Sequence, residues 1–153
     1  MLGRFKSYQV MAEIIKADSK TAIFKPGSFD QQIKLNVNLS DGQPPFPVGS
    51  KLECLIIPLG VAFKRGDDGK KGVDTGIFGS FPKTVHGKIL ETFRQEDDIV
   101  ALAIDAGFPC VVQIEEDDGV WEFQVGDWVS VSCGKESFVS HLDTGSDGKD
   151  ADE

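Results

Sequence analysis

The sequence predicts an all-β protein made of two tandem OB-like lobes, each a small closed β-barrel, related by an internal repeat and followed by an acidic disordered tail. Apolar and polar residues alternate over short runs, which is the period of a half-buried strand. Turns rich in Gly, Pro and Asp separate these runs. No segment carries the apolar stripe of an amphipathic helix, so small barrels are the simplest architecture.

The repeat is carried by two nine-residue segments. Residues 41–49 and 118–126 both read Asp-Gly, three variable residues, Phe, one variable residue, Val and Gly, and each precedes an apolar alternation. Asp-Gly favours a tight turn, and the Phe and Val then return on alternate positions to one face. We infer a duplicated unit of about 75 residues. Phe46 and Phe123 are therefore expected to be buried at equivalent places.

The first repeat is expected over residues 1–63. Its alternation predicts strands at residues 8–15, 21–24, 33–39 and 51–63. Pro58 and Gly60 interrupt the last run, as a bulge or an edge strand would. Residues 64–84 are rich in Gly and Lys and are expected to form a linker or a long loop.

The second repeat is expected over residues 85–142. Its predicted strands lie at residues 85–90, 99–104, 111–114, 128–133 and 138–142. Residues 99–104 are apolar on both parities, which is expected inside a closed barrel or between two lobes. Residues 143–153 have no apolar anchor and are expected to be an acidic disordered tail.

Part of the second repeat resembles a known family. Residues 87–90, 100–109 and 125–131 read GKIL, VALAIDAGFP and VGDWVSV, and residues 135–142 read KESFVSHL. Together they resemble the TOBE domain, an OB-like barrel of molybdate-binding proteins and some transporter ATPases. The resemblance implies a small-anion site at Lys135 and Ser137, where the family has Lys-Ala-Ser or Lys-Ala-Thr. Glu136 replaces the small residue of that pattern.

Composition points to a soluble protein. The chain is 40% hydrophobic, and no run approaches the roughly 20 apolar residues of a membrane span. The first residues lack the apolar core of a signal peptide, so we expect a cytoplasmic protein. The three cysteines form no C-x-x-C pair and are expected to be free, buried thiols.

The sequence carries no recognisable catalytic or metal motif. His86 and His141 lie far apart and lack the neighbouring ligands of a metal site. No nucleophile motif and no phosphate-binding glycine loop is present. We therefore expect a non-enzymatic binding module that needs no cofactor or metal.

Charge is divided unevenly along the chain. Residues 1–85 carry 12 Lys or Arg and 8 Asp or Glu, whereas residues 86–153 carry 4 and 17. Nucleic-acid contact is therefore expected in the first half. The candidate binding residues are Lys64, Arg65, Lys70, Lys71, Lys83, Phe78 and Phe81. Cations for phosphates and aromatic rings for bases suit single-stranded nucleic acid. The alternative is a TOBE-like module that binds a small anion or a protein partner.

Overall fold

The computed structural model describes residues 2–27, 29, 31–37, 45–75, 81–115 and 123–141. Within this part, the chain forms a 3-10 helix and eleven strands. The helix is Leu2–Tyr8, and the strands are β1 (Val10–Ala17), β2 (Thr21–Pro26), β3 (Ile33–Val37), β4 (Lys51–Ile57), β5 (Leu59–Arg65), β6 (Gly72–Thr75), β7 (Pro82–Gln95), β8 (Asp98–Asp105), β9 (Pro109–Ile114), β10 (Trp128–Cys133) and β11 (Phe138–His141). The predicted all-β class is confirmed. The expected acidic tail, residues 143–153, lies outside the described residues.

Five strands close the first barrel, in the order β1-β2-β3-β11-β4. Strand β11 runs parallel to β3 and antiparallel to β4, and every other pairing is antiparallel. A closed barrel of five strands is consistent with a small OB-like barrel. The predicted closed barrel is therefore confirmed.

The second sheet has the order β10-β5-β9-β8-β7-β6, and β10 also pairs with β7. That additional pairing joins β7, β8, β9, β5 and β10 in a ring, with β6 attached outside it to β7. Strand β5 runs parallel to β9, and the other pairings in the ring are antiparallel. The ring thus repeats the strand order and directions of the first barrel, and we call it the second barrel.

The fifth strand of each barrel comes from the other half of the chain. Strand β5 follows β4 of the first barrel but pairs in the second sheet, whereas β11 follows β10 of the second sheet and pairs in the first barrel. Sheet membership therefore crosses the boundaries expected at residues 63 and 85. It also crosses the expected linker, since β5 extends to Arg65, β6 lies within residues 64–84, and β7 begins at Pro82.

The short connection between β4 and β5 explains why β5 pairs in the second barrel rather than in the first. Only Pro58 separates β4 from β5. A hairpin needs about two loop residues to reverse the chain, and proline cannot donate a ladder hydrogen bond. The chain cannot fold back on β4 and continues into the second barrel. Strand β11 fills the position left open beside β3 and β4.

Hydrogen bonds join the two connections that pass from one barrel to the other, β4–β5 and β10–β11. The hydroxyl of Ser137 donates to the carbonyl oxygen of Gly134 at 2.8 Å and accepts from the backbone N–H of Leu59 at 2.8 Å. The N–H of Gly134 donates to the carbonyl oxygen of Leu59 at 2.7 Å. The Asn36 amide donates to the carbonyl oxygens of Lys135 and Ser137. Ser137 is only 2% exposed, so the two bonds of its hydroxyl are part-buried, whereas the bond from Asn36 to Lys135 is exposed.

The described parts of the two signature copies, residues 45–49 and 123–126, share two features of backbone geometry. The N–H of Gly49 donates to Ile14, and the N–H of Gly126 donates to Ile89, both at 2.8 Å. Both glycines have positive φ, +87° and +95°, which a side chain would disfavour. The β-bulges after Ile14 and Ile89 also occupy equivalent places.

The signature phenylalanines are buried in both lobes. Phe46 is 6% exposed and Phe123 is 3% exposed, and both belong to the larger hydrophobic core. These exposures agree with the burial expected from the repeated segment. The two lobes thus match in strand order, in turn geometry and in the burial of this aromatic side chain.

A second apolar core joins the two barrels. Residues Leu55 and Ile57 on the outer face of β4 pack in one cluster with alanines and a valine on β8 and β9. Strand β4 is therefore buried on both faces, like β8. Phe5 of the 3-10 helix enters the same cluster and makes an edge contact with Phe93, at 4.8 Å between ring centroids.

Candidate nucleic-acid interface

A row of three side chains crosses the outer face of the first barrel. Lys16 on β1 is opposite Ile23 on β2, and Ile23 is opposite Lys34 on β3. The residues next to this row, such as Ala22 and Leu35, point into the core and are buried. Because side chains alternate across a strand, the row faces outward. A partly exposed isoleucine is thus flanked by two lysines, and we call these three residues the lysine row.

The equivalent row of the second barrel is largely covered and carries no cation. It consists of Glu91, Ala103 and Val111, opposite one another on β7, β8 and β9. Ala103 and Val111 are fully buried in the cluster that joins the barrels. Tyr8 donates a hydrogen bond to the Glu91 carboxylate, and burial together with this carboxylate raises the pKa of Tyr8 to about 12. The same face is therefore packing surface in one barrel and open in the other.

The open face of the first barrel bears a shallow groove. Its volume is about 410 Å³, and its lining combines the lysine row with apolar side chains, one hydroxyl and one carboxylate: Ile15, Lys16, Ala17, Asp18, Thr21, Ile23, Lys34 and Val48. Val48 is 62% exposed at the tip of its turn. The groove offers apolar contact between two cations. OB-like barrels present this region, strands two and three with the adjoining loop, to oligonucleotides.

An exposed aromatic ring lies beside this groove. Phe81 precedes β7 and is 39% exposed, and the Nζ atom of Lys34 lies 5.2 Å from the centroid of its ring. This is a cation–π distance. Phe81 is the predicted site residue that the structure brings to the lysine row. Phe78, the other predicted aromatic, lies outside the described residues.

The predicted cations at the end of β5 lie on the second barrel. Lys64 is exposed and opposite Ser130. The guanidinium of Arg65 lies 3.7 Å from the Asp127 carboxylate and 5.6 Å from the centroid of the Phe123 ring. Arg65 is therefore held against the turn that follows the second signature segment.

Lys70 and Lys71 line a different cleft, between the two barrels. The Nζ atom of Lys71 donates to the Asp105 carboxylate at 2.7 Å. This bond, with the Gly107 N–H that also donates to the carboxylate, holds the pKa of Asp105 below its usual value. Lys83 is exposed on β7. Lys64, Lys70 and Lys83 form no ion pair with another described residue.

Lys135 and Ser137, the residues of the alternative anion site, lie in the connection between β10 and β11. The Ser137 hydroxyl already donates one hydrogen bond and accepts another, and the side chain is buried. Lys135 is exposed, and its carbonyl oxygen accepts from Asn36. This arrangement leaves the Ser137 hydroxyl without a hydrogen atom to offer an oxyanion.

The cysteines are free thiols in apolar surroundings. Burial raises the pKa of Cys54 and of Cys133 to about 12, and it also raises the pKa of Cys110. The described part of the chain contains no group of three or more His, Cys, Asp or Glu side chains placed to hold a metal ion. Among the described residues, no helix is long and apolar enough to cross a membrane.

Comparison with protein-family models, curated proteins and solved structures finds no match to this chain. The small barrel follows from the strand pairings alone, and the TOBE resemblance stays a prediction. Sequence reasoning missed Lys16, Ile23 and Lys34 as site residues. Their positions within alternating strands were the available signal, because residues on the outward parity of a half-buried strand face solvent.

Proposed function

We propose that this protein is a non-enzymatic module that binds single-stranded nucleic acid on the outer face of β1, β2 and β3. One observation carries the proposal. The Lys16–Ile23–Lys34 row is open in the first barrel, whereas in the equivalent Glu91–Ala103–Val111 row the alanine and the valine are buried between the barrels and Glu91 accepts a hydrogen bond from Tyr8. Of two matching faces, the one that can receive a ligand is the one that carries cations.

The chemistry of the face suits a polyanion with flat rings. Lys16 and Lys34 would contact phosphates, while Ile23 and the exposed ring of Phe81 would offer apolar surface to the bases. Stacking on an aromatic ring tolerates every base, so the expected binding is largely independent of sequence. Lys64, Lys70 and Lys83 add exposed positive charge on the second barrel.

The net charge of −9 makes salt conditions important. Acidic residues repel a phosphate backbone at long range, but within a Debye length of about 10 Å a local row of lysines still attracts it. Binding is therefore expected to be strongest at low ionic strength and to weaken steeply as salt is added.

The test compares two pairs of lysine substitutions with the same change in net charge. Lys16→Ala with Lys34→Ala should weaken binding of a mixed-sequence oligonucleotide. It should also flatten the slope of log affinity against log salt by about 1.4, at about 0.7 for each phosphate that is no longer neutralised. Lys6→Ala with Lys51→Ala removes two exposed lysines outside the row and should change the slope much less.

A separate substitution distinguishes stacking from charge. Phe81→Leu should weaken binding by about 1 to 3 kcal/mol without changing the salt slope, because stacking involves no counterion release. Fluorescence anisotropy with a labelled oligonucleotide measures both quantities. If the wild-type protein binds no oligonucleotide at about 50 mM salt, or if both lysine pairs behave alike, the proposal is wrong.

A further inference from the structure

A second cleft lies between the two barrels, away from the lysine row. It has a volume of about 540 Å³, within the range of about 300 to 1,000 Å³ typical of small-molecule sites. Its walls come from the β2–β3 connection, the β5–β6 connection, β6, β7 and the β8–β9 turn. The chemically distinctive lining residues are Phe29, Gln31, Lys70, Lys71, Asp74 and His86.

One wall is a fixed aromatic ring. Phe29 is partly exposed and makes an edge contact with Phe108, at 4.9 Å between ring centroids. It also lies over Gly107, where a β-carbon would come within 3.2 Å of the ring. The ring is thus held from two sides. A positioned aromatic side chain gives a ligand ring a surface to stack on at low entropic cost.

The opposite part of the cleft carries paired polar groups. His86 Nε2 lies 2.8 Å from a carboxylate oxygen of Asp74. The His86 side chain is 10% exposed, whereas the Asp74 side chain is 62% exposed. The buried imidazole therefore fixes a carboxylate that still faces the cleft. Its free lone pairs can accept hydrogen bonds from hydroxyl groups of a ligand.

Two adjacent lysines complete the lining. Lys71 is bound to Asp105, which neutralises part of its charge, whereas Lys70 has no ion-pair partner among the described residues. An ammonium group without a partner at the edge of a cleft attracts phosphate. The cleft thus combines a stacking ring, a hydroxyl acceptor and a phosphate-binding cation.

We infer that this cleft binds a ribonucleoside monophosphate. The base would stack on Phe29, the ribose hydroxyls would donate to the Asp74 carboxylate, and Lys70 and Lys71 would contact the phosphate. A carboxylate that accepts from ribose hydroxyls distinguishes ribose from deoxyribose. The inference concerns a separate ligand site and shares no residue with the lysine row of the first barrel.

Isothermal titration calorimetry on the full chain tests it, with the four ribonucleoside monophosphates as probes and dAMP, adenosine and inorganic phosphate as comparisons. At least one ribonucleotide should bind, and AMP should bind about tenfold more tightly than dAMP if adenine is accepted. Lys70→Ala with Lys71→Ala should weaken ribonucleotide binding at least about tenfold, whereas Lys6→Ala with Lys51→Ala should leave it unchanged.

Asp74→Asn gives the sharpest result. The amide keeps the size of the side chain but presents one acceptor oxygen and adds donors, so the preference for ribose should largely disappear while the affinity for deoxyribonucleotides stays the same. Phe29→Leu should weaken nucleotide binding and leave phosphate binding unchanged. Circular dichroism of each variant establishes that it is folded, and the lysine pair remains informative if Phe29→Leu is not.

Three outcomes would overturn the inference: no ribonucleotide binds, binding is the same in the Lys70 and Lys71 variant, or only oligoribonucleotides bind. Failure here is distinguishable from failure of the proposed nucleic-acid face. Lys16→Ala with Lys34→Ala should leave mononucleotide binding intact, because neither lysine lines the cleft.

Discussion

Replacing Ser137 by alanine removes the hydroxyl that joins the two crossing connections. This hydroxyl accepts from the Leu59 N–H at 2.8 Å and donates to the Gly134 carbonyl oxygen at 2.8 Å. The side chain is 2% exposed, so water cannot easily replace it. An orphaned buried donor costs about 1 to 3 kcal/mol, and we expect a loss of this size in the free energy of unfolding.

The exchange of β5 and β11 between the barrels also determines how the loss of stability in Ser137→Ala is distributed. Each barrel contains a strand from the other half of the chain, so neither can open at its fifth strand without loosening the connection to the other. Urea unfolding followed by tryptophan fluorescence and by far-UV circular dichroism should therefore give a single coincident transition, shifted as a whole. Ser132→Ala, on β10 and partly exposed, is the matched control and should cost well under about 1 kcal/mol. Two separate transitions, or an unchanged midpoint for Ser137→Ala, would refute the reasoning.

The remaining predictions concern the repeat and one ion pair. Phe46→Ala and Phe123→Ala should each lower the free energy of unfolding by about 3 to 5 kcal/mol in urea titrations, because both rings are buried in the larger core; a loss below about 1 kcal/mol for either would contradict their equivalence. Lys71→Ala should raise the pKa of Asp105 toward its ordinary value of about 3.9, which carboxyl carbon NMR measures directly. Because the native pKa is lowered, the stabilisation is present above about pH 4 and is lost as the pH falls through the native value, so the variant should lose less stability on acidification. An unchanged Asp105 midpoint would contradict this account.

Much of the fold could be predicted because local pattern determines it. Alternation located most of the strands, although not β6, which lies in the expected linker. The repeated segment predicted buried phenylalanines at equivalent turns. The apolar run at residues 99–104 indicated a strand covered on both faces, and the neighbours Ala103 and Ile104 are both buried. Turn chemistry was informative because Gly49 and Gly126 must adopt positive φ.

The exchange of strands could not be read from alternation. A run of alternating residues specifies a strand but not its partner. The single residue Pro58 was the available signal, since a one-residue connection cannot reverse the chain. The 3-10 helix was also missed, because Leu2–Tyr8 is too short for an apolar stripe to be recognised.

The site was predicted by charge clustering along the sequence, which finds neighbours in the chain rather than in space. That reasoning grouped residues that the fold separates: Phe81 lies beside the lysine row, Arg65 lies against Asp127, and Lys70 and Lys71 line the cleft between the barrels. Lys16 and Lys34 are brought together only by pairing of β1, β2 and β3. Such cross-strand neighbours depend on register, which a single sequence does not fix.

The exchanged strands have a consequence for synthesis on the ribosome. The first barrel takes its closing strand, β11, from the far end of the chain. Its first four strands leave the ribosome early, yet the edges of β3 and β4 stay unpaired until Phe138–His141 has been made. Domains usually fold as units with the N-terminal one first, whereas here the first barrel closes only after residues 138–141 have emerged. During that interval the open edges are available to other nascent chains, so aggregation should be sensitive to the rate of translation.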